Sequence, residues 1–356
     1  MLNTALNMPK SSARKRVPKQ PSSPAAIEHR HFGRAEELLD FLSPRQSHWH
    51  PQQDHWIFRG QSEDWPLKAK AHRDGPWFEE FGLPLGSAVQ VASRGWMEDS
   101  KTILRQFGDQ LDKAGLAIPP PAPKVFSGRP SKLAPGDPPE DALPTLALAQ
   151  HHGLPTPWLD WSFQPRSAAY FACASLVWDR KLLTPTSPTP PGVPLQLATY
   201  EERVDKVGNL VLWCMRLHVD QLAVKKAPED VDGVWLTLES APRAGNARLH
   251  AQSGLFTWLH GENAHDRTLD SHVETVFSRL PKGPPYLLGM GPPIMYKLTL
   301  DRQTQAHRLL KFLLDESVSA ASIMPGADGV VQAIRERAWC QHRRTENWLK
   351  RKILDR

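Results

Sequence analysis

Apolar positions recur along this chain in two rhythms. In AEELLDFL (35–42) they fall three and four residues apart, the spacing of one helix face. The same rhythm joins Trp96, Met97, Leu104, Phe107 and Leu111 and predicts a long amphipathic helix over 87–115. It returns in DRQTQAHRLLKFLLDES (301–317) and DGVVQAIRERAWCQH (328–342). The second rhythm is that of strands, rich in β-branched and aromatic residues. It marks Trp56-Ile57-Phe58 ahead of Arg59, then NLVLWCMRLHVD (209–220), GVWLTLES (233–240), QSGLFTWL (252–259) and IMYKLTL (294–300). Helices and strands are partly segregated rather than alternating. That predicts an α+β fold with a mixed, partly antiparallel sheet flanked by helices, not a doubly wound βαβ series.

The densest stretch is LALAQHHGLPTPWLDWSFQPRSAAYFACASLVW (146–178). LALAQHH is helix-compatible and stops at Gly153, a natural C-terminal cap. LPTPWLDWS reads as an extended, irregular turn after its prolines. Pro165 suits the first turn of a new helix, in which Ala168, Ala169, Phe171, Ala172 and Ala174 offer a small-residue face for close packing. Thr156, Asp160, Trp161 and Ser162 then sit on a rigid loop between two helices, where polar groups are candidates for a site.

Proline breaks this pattern twice, with nine prolines in 118–144 and five in 184–194. Proline on this scale denies both helix and interior strand, and the flanking segments look incomplete alone. These stretches read as surface insertions in one domain spanning 27–356. No internal repeat is present.

Charge changes the picture through its location. The formal net charge of +6 is concentrated at the ends: residues 1–26 contribute +5 and residues 334–356 another +5, which leaves the middle slightly acidic. The first 26 residues, rich in Ser, Pro and Lys, cannot bury enough surface to order themselves and read as a solvated basic tail. A polyanion-binding arm is the competing reading. No apolar run approaches the ~18 residues of a membrane span and the N-terminus lacks the apolar core of a secretion signal, so a cytoplasmic protein without a membrane partner is expected. Three cysteines, Cys173, Cys214 and Cys340, are widely spaced in apolar surroundings, which suits buried thiols in a reducing compartment. The histidines of HWHPQQDH (His48, His50, His55) lack cysteine neighbours and regular helix spacing, and no metal is expected there. No Gly-rich phosphate loop, Walker-type lysine motif or nucleophile elbow is present.

Arg59, set between an apolar strand and Gly60-Gln61, is the residue that asks for a reason. An arginine at a strand end is ordinarily a surface charge whose methylenes cover apolar neighbours. The alternative is a planar fork for an anionic ligand. Asp160 can cap a turn or pair with Arg59 or Arg73 inside the fold. His151 and His152 can satisfy helix-end carbonyls. Gln252 can bridge buried polar groups. Trp56, Trp65, Trp158 and Trp161 can be core, or one of them can stack on a base.

Four segments, WIFRGQSEDWPLKAKAHR, ALAQHHGLPTPWLDWSFQPRSAAYFA, ARLHAQSGLFTW and LLKFLLDESVSAASIMPGADGVVQAI, resemble in that order the successive blocks of FRG-domain proteins, named for their Phe-Arg-Gly motif, over about 55–334. One departure is visible. Where the family has Thr-Arg before Leu-Leu-Asp-Trp, this chain has Thr156-Pro157-Trp158-Leu159-Asp160-Trp161 and lacks the arginine.

The order of elements is also similar to that of ADP-ribosyltransferases, which implies a split sheet and an intracellular effector or toxin using NAD, with a role in anti-phage defence. The resemblance implies catalytic positions at Arg59, Ser162, Gln252 and Asp160. It implies contacts to the dinucleotide from Arg59, Gly60, Gln61, Arg73, His152, Thr156 and Trp161. Gln252 cannot titrate, so a general base must come from Asp160, Glu262, His151 or His152. A nucleic-acid or protein acceptor and a neutralising partner protein follow from the same resemblance. The alternative is a non-catalytic module that binds nucleotide or nucleic acid.

Overall fold

The deepest strands are those whose residues are apolar on both sides. In the computed structural model, which describes residues 25–49, 54–73, 81, 96–117, 143–178, 181–182, 200–201, 208–218, 232–240, 250–261, 263–279 and 294–354, every residue from Leu210 to Leu217 is buried. So is every residue from Gly254 to His260. Such near-continuous apolar runs need cover on both faces of a sheet.

The elements run β1 (Ile27–Phe32), α1 (Ala35–Phe41), β2 (Asp54–Gln61), α2 (Trp96–Lys113), α3 (Leu143–His151), β3 (Trp158–Ser162) and α4 (Pro165–Trp178). Then come β4 (Lys181–Leu182), β5 (Tyr200–Glu201), β6 (Asn209–His218), β7 (Trp235–Glu239), β8 (Gly254–His260) and α5 (Leu269–Arg279). The chain continues through β9 (Met295–Asp301), α6 (Arg302–Asp315), α7 (Ala320–Ile323) and α8 (Ala327–Leu354).

Seven strands form one open sheet in the order β1-β9-β6-β2-β3-β8-β7, and β4 pairs separately with β5. The β1–β9 pair is parallel and the other neighbours are antiparallel. The fold is thus α+β with a mixed sheet, as expected.

Strand periodicity divides the core. Leu210, Leu212 and Cys214 of β6 pack with Phe58, Leu298 and Leu300 under α1, α4, α6 and α8. Val211, Trp213 and Met215 point the other way, to Ile57, Leu159, Trp161, Leu255 and the Leu269–Val273 side of α5. A third cluster joins Leu143, Leu146 and Ala147 of α3 to Trp158, Phe256 and Trp258.

Gly60 and α4 explain each other. A Cβ on Gly60 would lie 1.9 Å from the Ala168 carbonyl oxygen and 2.7 Å from the Ala172 nitrogen. Helix backbone packs directly on strand backbone there, which only glycine on the strand and alanines on the helix permit.

The sheet has one weak seam. Strands β2 and β6 are paired from Asp54↔His218 to Gln61↔Val211, and β3 and β8 from Trp158↔Trp258 to Ser162↔Gly254. Between β2 and β3 the register holds one pair, Phe58↔Ser162.

Several expectations change. Residues 158–162 form a strand in the sheet, not an irregular loop. Pro155 and Pro157 dominate the local reading, yet a proline just before a strand removes no ladder hydrogen bond. The proline-rich stretch ends earlier than expected, because Leu143 and Pro144 already belong to α3, and proline is tolerated in a first turn. Helix α2 occupies 96–113, while 87–95 lie outside the described residues, as do 1–24, 118–142, 184–194, His50 and Glu262. The helix expected over 328–342 continues to Leu354. Gly153 ends α3 at a φ of 89°, the left-handed cap that its position predicts.

The cysteines are free thiols, Cys173 and Cys214 buried and Cys340 partly so. Burial pushes the first two well above the ordinary thiol range and raises Cys340 to about 12. Among the described residues no helix is long and apolar enough to cross a membrane, and no group of three His, Cys, Asp or Glu could hold a metal.

Candidate functional site

A cleft opens beside the seam where β2 and β3 part. Strand β2 lines it with Phe58, Arg59 and Gly60, and β3 with Asp160, Trp161 and Ser162. His151 at the end of α3, Ala168 and Phe171 of α4, and Gln252 to Phe256 complete the walls.

The seam dictates what Arg59 does. On its β8 side β3 is fully paired, but its Asp160 carbonyl on the other side meets no strand backbone from β2. Arg59 fills that role: its Nη1 donates to the Asp160 carbonyl oxygen at 2.8 Å and to Asp160 Oδ1 at 2.7 Å. The guanidinium side is sheltered and the carboxylate open, at 13% and 58% side-chain accessibility. Gln150 Nε2 also donates to Oδ1, at 3.3 Å, and the Thr156 hydroxyl donates to Gln150 Oε1 at 2.5 Å.

This leaves the other side of the fork. Arg59 Nε is shut from water without a hydrogen-bond partner. No partner for Nη2 is found among the described residues either, so the Nε–Nη2 edge, the one that takes a two-oxygen anion side-on, is unoccupied.

Electrostatics at this point favour an ionised pair. Desolvation works to raise the pKa of the Asp160 carboxyl, but the Arg59 charge and hydrogen bond prevail and hold it below the usual carboxylate range. Burial lowers the pKa of Arg73, the like charge of Arg59 lowers it further, and Asp160 opposes them.

On the far wall, Ser162 is mostly structural. Its hydroxyl donates to the Gln252 carbonyl oxygen at 2.6 Å and accepts from the Gln164 backbone N–H at 2.9 Å. Gln252 Nε2 reaches the Ile323 carbonyl oxygen at 3.4 Å. Ser253, just ahead of β8, holds a φ of 47°, a left-handed conformation uncommon for serine. Its carbonyl accepts from Phe163 N at 3.2 Å and its hydroxyl from Gln164 Nε2 at 3.0 Å. The turn that carries Gln252 is thereby tied to the end of β3.

Of the residues singled out in the sequence, Arg59, Gly60, Asp160, Trp161, Ser162 and Gln252 converge on the cleft. Gly60 contributes backbone only, and the room its missing side chain leaves is taken by α4. The Trp161 indole packs in the core and donates to Thr257 Oγ1 at 2.9 Å. Gln61, Arg73, His152 and Thr156 are not on the walls. Gln61 is buried and accepts from Trp213 Nε1 at 3.0 Å, and Arg73 donates through Nε to the Lys68 carbonyl oxygen. Thr156 is buried in the Gln150 network, and His152 is exposed with its ring near Phe107. Of the four tryptophans weighed, Trp56, Trp158 and Trp161 are core and Trp65 is exposed. The neighbouring His151 faces the cleft instead of His152. The aromatic walls, Phe58, Phe171 and Phe256, were not among the expected site residues, and only the position of Phe171 three residues after Ala168 on the small face of α4 hinted at one of them.

Residues 54–179 match the FRG domain. The match takes in β2, α2, α3, β3 and α4, and with them Arg59, His151, Asp160 and Ser162; Gln252 and the two later blocks of the resemblance lie beyond it. No curated protein and no solved structure matches the chain.

Proposed function

We propose that the cleft binds NAD and that the protein transfers its ADP-ribosyl group to an acceptor, protein or nucleic acid. The observation that carries this reading is the unpartnered, sheltered Nε of Arg59, on a side chain that is held through Nη1 and lines a cleft with aromatic walls. A pyrophosphate needs a positive partner with two donors in one plane, which arginine supplies and lysine does not. Phe171, partly buried beside the cleft, suits a flat heterocycle. The similar order of elements, with a sheet that parts beside the cleft, supports the same reading.

Gln252 lies where it can hydrogen-bond a ribose hydroxyl or orient an acceptor, and its amide moves no proton. The test is to titrate the full chain with NAD by calorimetry and to follow nicotinamide release with protein, DNA and RNA acceptors present. Saturable binding with release is the expected outcome; no binding overturns the reading. A second reading, nucleotide binding without transfer, is favoured by the Ser162 hydroxyl, already engaged by two backbone groups. NAD binding without nicotinamide release would establish it.

A further inference from the structure

Transfer from NAD to a nucleophile X–H leaves a proton that must be taken up. The nucleophile's electron pair forms the X–C1′ bond, the C1′–N1 bond breaks with its pair retained by nicotinamide, and the X–H proton departs. Most polar groups on the cleft walls cannot receive it. Asp160 is held by Arg59 as a hydrogen-bonded carboxylate whose pKa is lowered, which makes it a poor base. The Ser162 hydroxyl is engaged with backbone, and Gln252 is an amide.

His151 is different. Its Nδ1 lies 2.9 Å from the carbonyl oxygen of Ala147, one turn back on α3. A carbonyl only accepts, so Nδ1 carries the hydrogen and the neutral ring presents a lone pair at Nε2. That Nε2 is shut from bulk water and has no partner, on a side chain that lines the cleft.

We propose that His151 Nε2 is the proton acceptor of the transfer step, a role that rests on the NAD reading above. The surroundings suit the imidazolium that results. Its Nδ1–H stays on the Ala147 carbonyl, and the ring sits at the C-terminal end of α3, where helix carbonyls favour a cation. The charged groups facing it are the Asp160 carboxylate on β3, within electrostatic reach, and Arg59 on β2, neutralised in part by that carboxylate.

The experiment measures NAD affinity and nicotinamide release between pH 5 and 9 for the full chain and for His151→Asn. The asparagine side chain keeps a donor for the Ala147 carbonyl and cannot take a proton. Affinity for NAD should be unchanged, turnover should fall by about a hundredfold, and the acidic limb of the wild-type pH profile should vanish. Because a helix-end variant can lose stability, His151→Ala is assayed with added imidazole, which should restore part of its turnover. Wild-type turnover and an unaltered pH profile in His151→Asn overturn the base role and leave the NAD reading standing. Loss of affinity and Tm together, without imidazole rescue, also overturns it. A wild-type protein that releases no nicotinamide overturns the transfer reading and the base role with it.

Discussion

Two arginines flank the stretch Arg59–Glu63, and they are used in opposite ways. Arg302, at the start of α6, is 3% exposed; its Nη1 donates to the Ser62 carbonyl oxygen at 3.2 Å and lies 3.2 Å from Glu63 Oε1. Its Nη2 is close enough to Gly208 that a Cβ there would come within 3.1 Å. Everything around it belongs to the fold, and it ties the end of β2 to the junction of β9 and α6. Arg59, only three residues before Ser62, is anchored through one nitrogen, lines a cleft, and keeps a sheltered Nε without a partner. Burial alone does not separate the two roles. What separates them is whether the donors of the fork are all answered by the protein, because an unanswered sheltered donor is a standing cost that a ligand can remove.

The contrast can be broken by substitution, most strongly at Arg302. Arg302→Met keeps much of the stem volume but strands the Ser62 carbonyl and removes the ion pair to Glu63, and should cost about 1–3 kcal/mol of folding stability, read as a lower urea midpoint. NAD affinity of the folded fraction should stay the same. Arg59→Lys should cost less than about 1 kcal/mol, since its ion pair is partly solvated and an ammonium can still reach Asp160. It should nonetheless weaken NAD binding about tenfold or more, because the planar edge is lost. Equal destabilisation by the two variants would make Arg59 another structural clamp.

The smallest effect concerns Asp160, whose folded pKa is lowered. The ionised folded form is favoured, so its contribution is present above the ordinary carboxylate range and is lost as pH falls through the folded value. Asp160→Asn should therefore remove that contribution at neutral pH, a loss of less than about 1 kcal/mol for a pair so open to solvent, and flatten the stability–pH curve below about pH 4. A large loss at pH 7 would mean that the pair is a fold element like that of Arg302.

The elements legible from sequence were those with strong periodicity. Leu38, Leu39 and Leu42 announce α1, and the run Leu210–Leu217 announces a central strand, because burial of those residues is what forms the element. Strand β1 was missed for the same reason in reverse. In IEHRHF only Ile27 is buried, the strand lies at the sheet edge, and its parallel pairing with β9 leaves no local trace. Helix α5 escaped notice although Leu269, Val273 and Phe277 stand four apart.

At the site, the partnership of Arg59 with Asp160 was within reach of sequence reasoning, since a charge following an apolar strand seeks a counter-charge. Which of His151 and His152 faces the cleft was not. One residue on a helix turns a side chain by about 100°, and the phase at a frayed end is set by packing. Nor could the sequence show that the site arises where two strands stop pairing, because the seam is a relation between backbones far apart in the chain.

The three thiols have a practical consequence. All are buried or half-buried, with pKa values pushed up by burial, so little thiolate is present at neutral pH to meet an alkylating reagent. The folded protein is thus a quiet background for site-selective labelling, and a single cysteine introduced at Gln252 would give a reporter dye a position from which to sense occupancy of the cleft without first stripping out the native sulfur.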